Sequence, residues 1–292
     1  DAGILGPTTA VSSTYIILFI VFAAFLQASK VGDYFVNFAF AAAGRTRGGP
    51  AKVSIFASGL MGMINGTSAG NVVSTGSLTI PLMKKVGYSK QSAGAVEAAA
   101  STGGQIMPPI MGAGAFIMAE FLNIPYTQIA VAAMGPAFLY YLAIWLGVDL
   151  YARRTGLQPT PKNEMPKPAD FLAPDKAIPL FLPIATVVYF LFQGYTPSFA
   201  GAASIIVLIL ACAAVRPFGR DTREQGLKAC WTGLVRDVYE GMVEAGRALV
   251  MIAALLACAA IVVKVLTATG AGVKISNLLF SVSDQGLIVA LL

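Results

Sequence analysis

The stretch that most constrains this chain runs over residues 53–109. At its centre lies the polar heptapeptide Asn65-Gly66-Thr67-Ser68-Ala69-Gly70-Asn71. One apolar arm precedes it at residues 53–64 and another follows at residues 72–83. Each arm, as a helix of about a dozen residues, reaches roughly 18 Å, short of the roughly 30 Å of hydrocarbon in a bilayer. Both outer ends are basic, with Arg45, Arg47 and Lys52 before the arms and Lys84, Lys85 and Lys90 after them. Basic flanks favour the cytoplasmic side, so both ends belong on one face. The segment is expected to enter the bilayer, turn near its middle and return as a re-entrant helical hairpin with the polar residues at its tip.

A second interrupted element follows directly. Residues 89–101 read as a helix, and so do residues 110–122, separated by Thr102-Gly103-Gly104-Gln105-Ile106-Met107-Pro108-Pro109. Two prolines remove two backbone donors, and paired glycines are poor helix formers. Unwound backbone at membrane depth survives only where it is buried in protein or lines a wet cavity. Breaks of this kind present carbonyls and helix ends to ions and substrates in secondary transporters. A tightly packed, merely kinked helix is the plainer alternative. A hairpin tip and a broken helix in succession, both rich in Ser, Thr, Asn, Gln and Gly, favour a binding site.

Composition sets the class. Hydrophobic residues make up 57% of the chain and charged residues 12%, which fits an all-α polytopic membrane protein and not a soluble domain. The net charge of +6 gathers at helix ends and not along one face, so positive-inside topology explains it without nucleic acid. Cys212, Cys230 and Cys258 have no metal-binding spacing. The chain has no histidine, which removes His-based general base catalysis and His-ligated metals.

Read in order, residues 1–52 hold a first spanning helix from about Thr14 and a cytoplasmic interfacial helix over residues 31–43. Residues 53–122 are the hairpin and broken helix, and residues 123–154 a spanning helix kinked at Gly135-Pro136. A proline-rich cytoplasmic linker fills residues 155–175. Residues 176–236 form a helix pair and a cytoplasmic segment, and residues 237–292 begin a second repeat. The repeat is inferred from an echo. A spanning helix followed by an amphipathic stretch occurs after Lys30 and again after Gly270, with opposite orientation by the charge rule. Beginning at Asp1 and ending within an apolar run at Leu292, the chain reads as a piece of a longer protein.

Several linked blocks make the chain recognisable. They are Gly59-Leu-Met-Gly-Met-Ile-Asn-Gly-Thr-Ser-Ala-Gly-Asn71, then Ser74-Thr-Gly-Ser-Leu-Thr-Ile-Pro-Leu-Met-Lys-Lys-Val-Gly-Tyr88. Ala93-Gly-Ala-Val-Glu97 and Ala100-Ser-Thr-Gly-Gly-Gln-Ile-Met-Pro-Pro-Ile-Met-Gly112 follow. Together they resemble the large membrane subunit of tripartite ATP-independent periplasmic (TRAP) transporters, most of all the fused permeases served by TAXI-type binding proteins. The strong match runs from about Thr14 to Leu157. The resemblance implies a sodium-coupled elevator transporter of the bacterial inner membrane. It also implies a periplasmic TAXI-type binding protein, a small membrane subunit or fused equivalent, and a small organic anion as substrate. Carried over by resemblance, sodium ions bind at Asn65, Gly66, Thr67, Ser68 and Asn71 on the tip and at Ser101, Thr102 and Gly103 at the break. Gln105, Pro108 and Pro109 line the substrate side.

Other readings weigh less. Gly66-Thr-Ser68-Ala-Gly70 matches the nucleophile elbow of serine hydrolases, but no histidine base exists and the basic residues lie at helix ends. An ion channel built on re-entrant loops is the alternative function; the broken helix directly after the hairpin favours a transporter. Glu97 and Glu120 invite a proton-relay reading. Their positions towards opposite ends of the broken helix point instead to interfacial anchoring or packing. Arg247, one turn from Glu244, is expected to form an ion pair and not a substrate clamp.

Overall fold

The computed structural model describes residue 6 and residues 12–29, 31–157, 174–215, 227–274 and 277. Every regular element among them is helical. A π-helical turn, Ser12–Ile16, leads into α1 (Ile17–Ala28), and α2 (Val31–Ala43) follows it. The hairpin is α3 (Gly49–Asn65) and α4 (Ser68–Lys85). The broken helix is α5 (Lys90–Gly103), a single 3₁₀ turn (Gly104–Ile106), an irregular run over residues 107–112, and α6 (Ala113–Leu122). Then come α7 (Tyr126–Arg154), α8 (Pro174–Phe192), α9 (Pro197–Val215) and α10 (Leu227–Ala268).

Local chemistry explains the boundaries that matter. Helix α3 starts behind Gly48 in the left-handed region (φ 67°), with Pro50 at its first turn where no N–H is needed. It ends at Gly66, also left-handed (φ 62°), the usual glycine stop. Thr67 is extended (φ −129°, ψ 132°), and α4 restarts at Ser68, so the hairpin turns within two residues. Lys84 and Lys85 occupy the last turn of α4, where cations favour the helix dipole. Ser89 caps α5 by accepting a hydrogen bond from the Ser92 amide at 3.0 Å.

Three elements differ from the sequence-based boundaries. The hairpin arms are 17 and 18 residues long and not a dozen, because α3 extends back through its basic flank to Gly49 and α4 already begins at Ser68 in the polar tip. Each arm therefore extends about 25–27 Å, although its basic end belongs at the headgroups and not in hydrocarbon. The break begins later than Thr102, since Thr102 and Gly103 still belong to α5. The last helix is one 42-residue rod, Leu227–Ala268, running through what was expected to be a separate cytoplasmic segment. Within the expected linker, residues 158–173 lie outside the described residues, as do residues 216–226. The amphipathic stretch of the expected second repeat, from residue 275 on, also lies outside them, except Asn277.

Packing divides into two neighbourhoods. Helices α3, α4 and α5 pack pairwise into a three-helix unit, with α2 against α3 and α7 against α5 and α3. Helix α1 packs against α9 and α10, and α8 packs against α9. A buried apolar cluster joins the two: Phe19, Phe22 and Phe116 meet Met61 and Ile64 near the hairpin tip and Ile110 and Met111 in the break. At the base of the hairpin, Lys52 is 4% exposed, against the expectation of a solvated flank. Its Nζ lies 2.6 Å from Asp149 Oδ1 and 4.9 Å from the Trp145 ring centre, fastening α3 to α7. In the turn after α4, burial pushes the pKa of the Tyr88 hydroxyl up to about 12, with Tyr151 and Asp149 adding to the effect.

Among the described residues, three helices are long and apolar enough to cross a membrane: Tyr126–Arg154, Pro197–Val215 and Trp231–Ala268. Only 11% of the apolar window of the first is buried, so most of α7 presents side chains such as Phe138, Leu139 and Leu146 outwards. In water such a surface would aggregate; in lipid it is at home.

The hairpin topology is testable at exposed positions, which Lys52 is not. In a cysteine-free background, single cysteines at Arg45 and Lys84 should be shielded from a membrane-impermeant maleimide in intact cells and labelled after permeabilisation. Periplasmic labelling at either position rules out a hairpin with both ends in the cytoplasm.

Candidate ion and substrate site

Glycine brings the two interruptions together. A Cβ on Gly62 of α3 would fall 2.5 Å from Gly104 Cα, and one on Gly104 would press just as hard on Gly62 Cα. Backbone therefore lies against backbone, a contact no side chain could occupy. At the tip, a Cβ on Gly66 would lie 2.9 Å from the Met111 carbonyl oxygen, and one on Gly112 would lie 3.1 Å from that of Gly66. The tip of the hairpin thus rests on the irregular run of the broken helix. That run is closed on itself by the Gly112 amide donating to the Gln105 carbonyl at 2.8 Å.

This arrangement gathers four helix ends. The C-termini of α3 and α5 carry partial negative charge, and the N-termini of α4 and α6 carry partial positive charge. A cation is favoured at the first pair and an anionic group at the second, the division of labour found in broken-helix transporter sites.

The side chains named from the sequence fall into distinct places. Asn71 is fully buried; its Nδ2 donates to the Ser58 carbonyl at 2.7 Å, and its Oδ1 has no hydrogen-bond partner. A Cβ on Gly62 would lie 2.9 Å from that Nδ2, which puts the amide at the seam between hairpin and break. Gly66, Thr67 and Ser68 are half-buried at the tip, and the Thr67 side chain makes no capping hydrogen bond to α4. The side chain of Asn65 lies outside the described ones. Ser101 points elsewhere, its hydroxyl 3.4 Å from Glu97 Oε1. Thr102 is exposed and donates to the Ala98 carbonyl of its own helix at 2.8 Å. Gly103 packs under Tyr140, whose ring would be 2.5 Å from a Cβ there. Of the residues expected to line the substrate side, Gln105 is exposed while Pro108 and Pro109 are half-buried. Arg247 lies 3.7 Å from Glu244, the ion pair expected of them.

Two groups of residues are central here beyond the assigned ion and substrate positions. Of the two roles expected of Glu97, interfacial anchoring and packing, the structure shows packing. Glu97 is fully buried among Ser54 and Ser58 of α3, Thr75 and Thr79 of α4, and Ser101 of its own helix. Its signal was present in the sequence, since each of the three helices carries a polar pair four residues apart: 54/58, 75/79 and 97/101. Such spacing stacks two side chains on one helix face. The second group is aromatic. Tyr140 and Tyr141 of α7 donate to the carbonyls of Ala99 and Ala100 at 2.8 and 2.9 Å, and Tyr126 donates to those of Pro109 and Ile110. Nothing in the spacing of these tyrosines marks them in advance.

The architecture defines a class: a multi-pass helical membrane protein whose re-entrant-type hairpin and broken helix share one seam. The chain belongs to the family described as tripartite ATP-independent periplasmic transporter, DctM component, whose model matches residues 2–292. It is accordingly a protein of the bacterial inner membrane, and its family is one of transport permeases and not of enzymes. Over 257 residues it is 27% identical to the C4-dicarboxylate TRAP transporter large permease protein DctM of Vibrio cholerae, covering 85% of this chain and 56% of the relative. A Pseudomonas aeruginosa protein of the same description is 26% identical over 147 residues, 49% of this chain and 33% of the relative. An uncharacterised Salmonella typhimurium protein, YgiK, is 28% identical over 191 residues, 62% of this chain and 41% of the relative. The chain thus spans about half the length of the first of these relatives.

The glycine seam makes a sharp prediction. Gly62→Ala and Gly104→Ala should each destabilise the protein by about 1–3 kcal/mol, as overpacking does, since backbone cannot swing aside. Gly94→Ala meets nothing within 4 Å and serves as the matched control on α5. Thermal unfolding of the detergent-purified variants measures the difference; equal midpoints for all three would show that the seam yields.

Proposed function

We propose that this chain forms the transport core of a sodium-coupled secondary transporter. Its cargo is a small organic anion brought by a soluble periplasmic binding protein of the TAXI type, and a small membrane subunit or fused equivalent completes the assembly. Family membership supports the permease, and two relatives carry C4-dicarboxylate in their descriptions, which makes dicarboxylates the leading substrate class.

The observation that carries the sodium reading is Asn71 Oδ1, fully buried at the seam and without a partner. A buried acceptor left unpaired costs about 1–3 kcal/mol. Sodium is a hard cation that takes oxygen ligands and satisfies such an atom. With Asn71, the ligands proposed are Asn65, Gly66, Thr67 and Ser68 at the tip and Ser101, Thr102 and Gly103 at the end of α5. The hydroxyls of Ser101 and Thr102 are engaged with Glu97 and Ala98, so backbone carbonyls are the natural contribution of that helix end. Gln105, Pro108 and Pro109, beside the N-termini of α4 and α6, would face the substrate. The tip offers neutral dipoles and no carboxylate, a donor set that suits a monovalent ion better than a divalent one.

The test is uptake of labelled C4-dicarboxylate into proteoliposomes holding the assembled transporter and its binding protein. Uptake should saturate and require an inward sodium gradient; sodium-independent uptake overturns the coupling, and unitary currents would point to a channel. Ser68→Ala and Asn71→Ala should each raise the sodium concentration for half-maximal uptake by roughly tenfold, the equivalent of one lost ligand. The affinity of the binding protein for substrate should not move. Unaltered sodium dependence in Thr67→Ala, Ser68→Ala and Asn71→Ala alike would remove the ion from the tip.

A further inference from the structure

The most heavily engaged polar group among the described residues is not at the tip but beneath it. Glu97 is fully buried in the middle of α5. Its Oε2 accepts from Ser54 at 2.6 Å and from Thr79, and its Oε1 accepts from Ser58 at 2.9 Å, from Thr75, and from Ser101 at 3.4 Å. A carboxylate offers about four lone-pair directions, so five hydroxyls fill it. With this many hydroxyls around it, the group fastens helices. The five donors come from three helices, so one side chain pins both hairpin arms to the first half of the broken helix.

Two of those donors lead on to the seam. Ser58, whose hydroxyl is held by Glu97 and lies 2.9 Å from Thr75 Oγ1, offers its backbone carbonyl to Asn71 Nδ2 at 2.7 Å. Thr75, also on Glu97, has its Oγ1 2.9 Å from the Asn71 carbonyl. The carboxyl group therefore sets Ser58 and Thr75, and these set Asn71 from both its side chain and its backbone. Ser54 and Thr79 attach to the other oxygen; Thr79 also bonds the Thr75 carbonyl at 3.0 Å, so Ser54 is the donor that stands off this route.

We propose that Glu97 is a positioning residue for the hairpin tip, acting through Ser58 and Thr75 to aim the unpartnered amide oxygen of Asn71 into the seam. Its effect on sodium rests on the reading of Asn71 as an ion ligand; its fastening of the three helices does not.

The experiment uses purified transporter in detergent, without transport. Thermal unfolding is followed as sodium replaces potassium at constant ionic strength, and hydrogen exchange of the α3 and α4 amides is measured in potassium alone. Wild-type protein should show a sodium-specific rise in midpoint that Asn71→Ala abolishes. Glu97→Gln should speed exchange in both arms and raise the half-saturating sodium concentration by about tenfold, as loss of hydrogen bonds to a charged group does. Ser58→Ala and Thr75→Val, which keep the carboxyl group, should reproduce the sodium shift, while Ser54→Ala should not. This separates positioning from attraction of the ion by the Glu97 charge, which predicts that Ser58→Ala and Thr75→Val leave sodium binding unchanged. If Glu97→Gln does not fold, the comparison of Ser58→Ala, Thr75→Val and Ser54→Ala decides alone. Sodium stabilisation that survives Asn71→Ala overturns the ion reading but not the fastening, which exchange still reports. Unchanged exchange in Glu97→Gln, or equal sodium responses in Ser54→Ala and Ser58→Ala, overturns the proposal.

Discussion

A carboxyl group buried at membrane depth must be surrounded by donors, because water is not there to solvate it. Glu97 meets that requirement with hydroxyls from three helices, and the requirement in turn fixes those helices to one another. The register of α3 against α4 and of both against α5 follows from this one centre. Sliding any helix by a single residue would turn its Ser or Thr pair off the shared face and strand the carboxyl group. The glycine seam works on the same body from above. It brings the hairpin and the break together at Gly62 and Gly104, where backbone meets backbone, so polar fastening and steric fit impose the same alignment. Agreement between independent constraints is what gives a membrane bundle one packing in a solvent with no hydrophobic drive between helices.

Much of this was readable from the residues, in unequal measure. The turn at Asn65–Asn71 was legible because Gly66 is needed for a left-handed stop and polar residues cluster there between two largely apolar arms. The break was legible as a break, since prolines and glycines leave little choice, but its start was not. Thr102 and Gly103 remain helical because α7 supports that last turn with Tyr140 and Tyr141, a tertiary contact no local propensity reveals. Arm length was underestimated for a related reason. In α3, Asp149, nearly a hundred residues on, gives Lys52 a buried partner and lets helix reach past it to Gly49, while in α4 the extra length comes mostly from the polar tip, where residues 68–71 are helical. Packing was one of two roles that the position of Glu97 suggested, but its partners lay in three polar pairs of equal spacing on helices that sequence alone does not bring together.

The two neighbourhoods are joined by contacts of a different kind from those inside the first. The Lys52–Asp149 ion pair, the bonds from Tyr140 and Tyr141, the Gly62–Gly104 contact and the Glu97 network gather in α3, α4, α5 and α7 and the turn after α5. Its junction with α1 and the later helices is made of apolar side chains such as Phe19, Met61, Ile64 and Ile110. Such contacts have no directional bonds to break, so sliding along them is cheaper than deforming the polar unit itself.

Helix α7 adds a last consequence. Its apolar part, from Tyr126 to the ion-paired Asp149, measures roughly 34 Å, a few Å more than an average hydrocarbon core, and such a rod accommodates by tilting. Tyr140, Tyr141 and Asp149 clamp that rod to α5 and α3, so its inclination is shared with the helices that carry the seam. A bilayer thinner or thicker than the rod would act on its tilt, and through these contacts on Gly103 and the backbone beyond it.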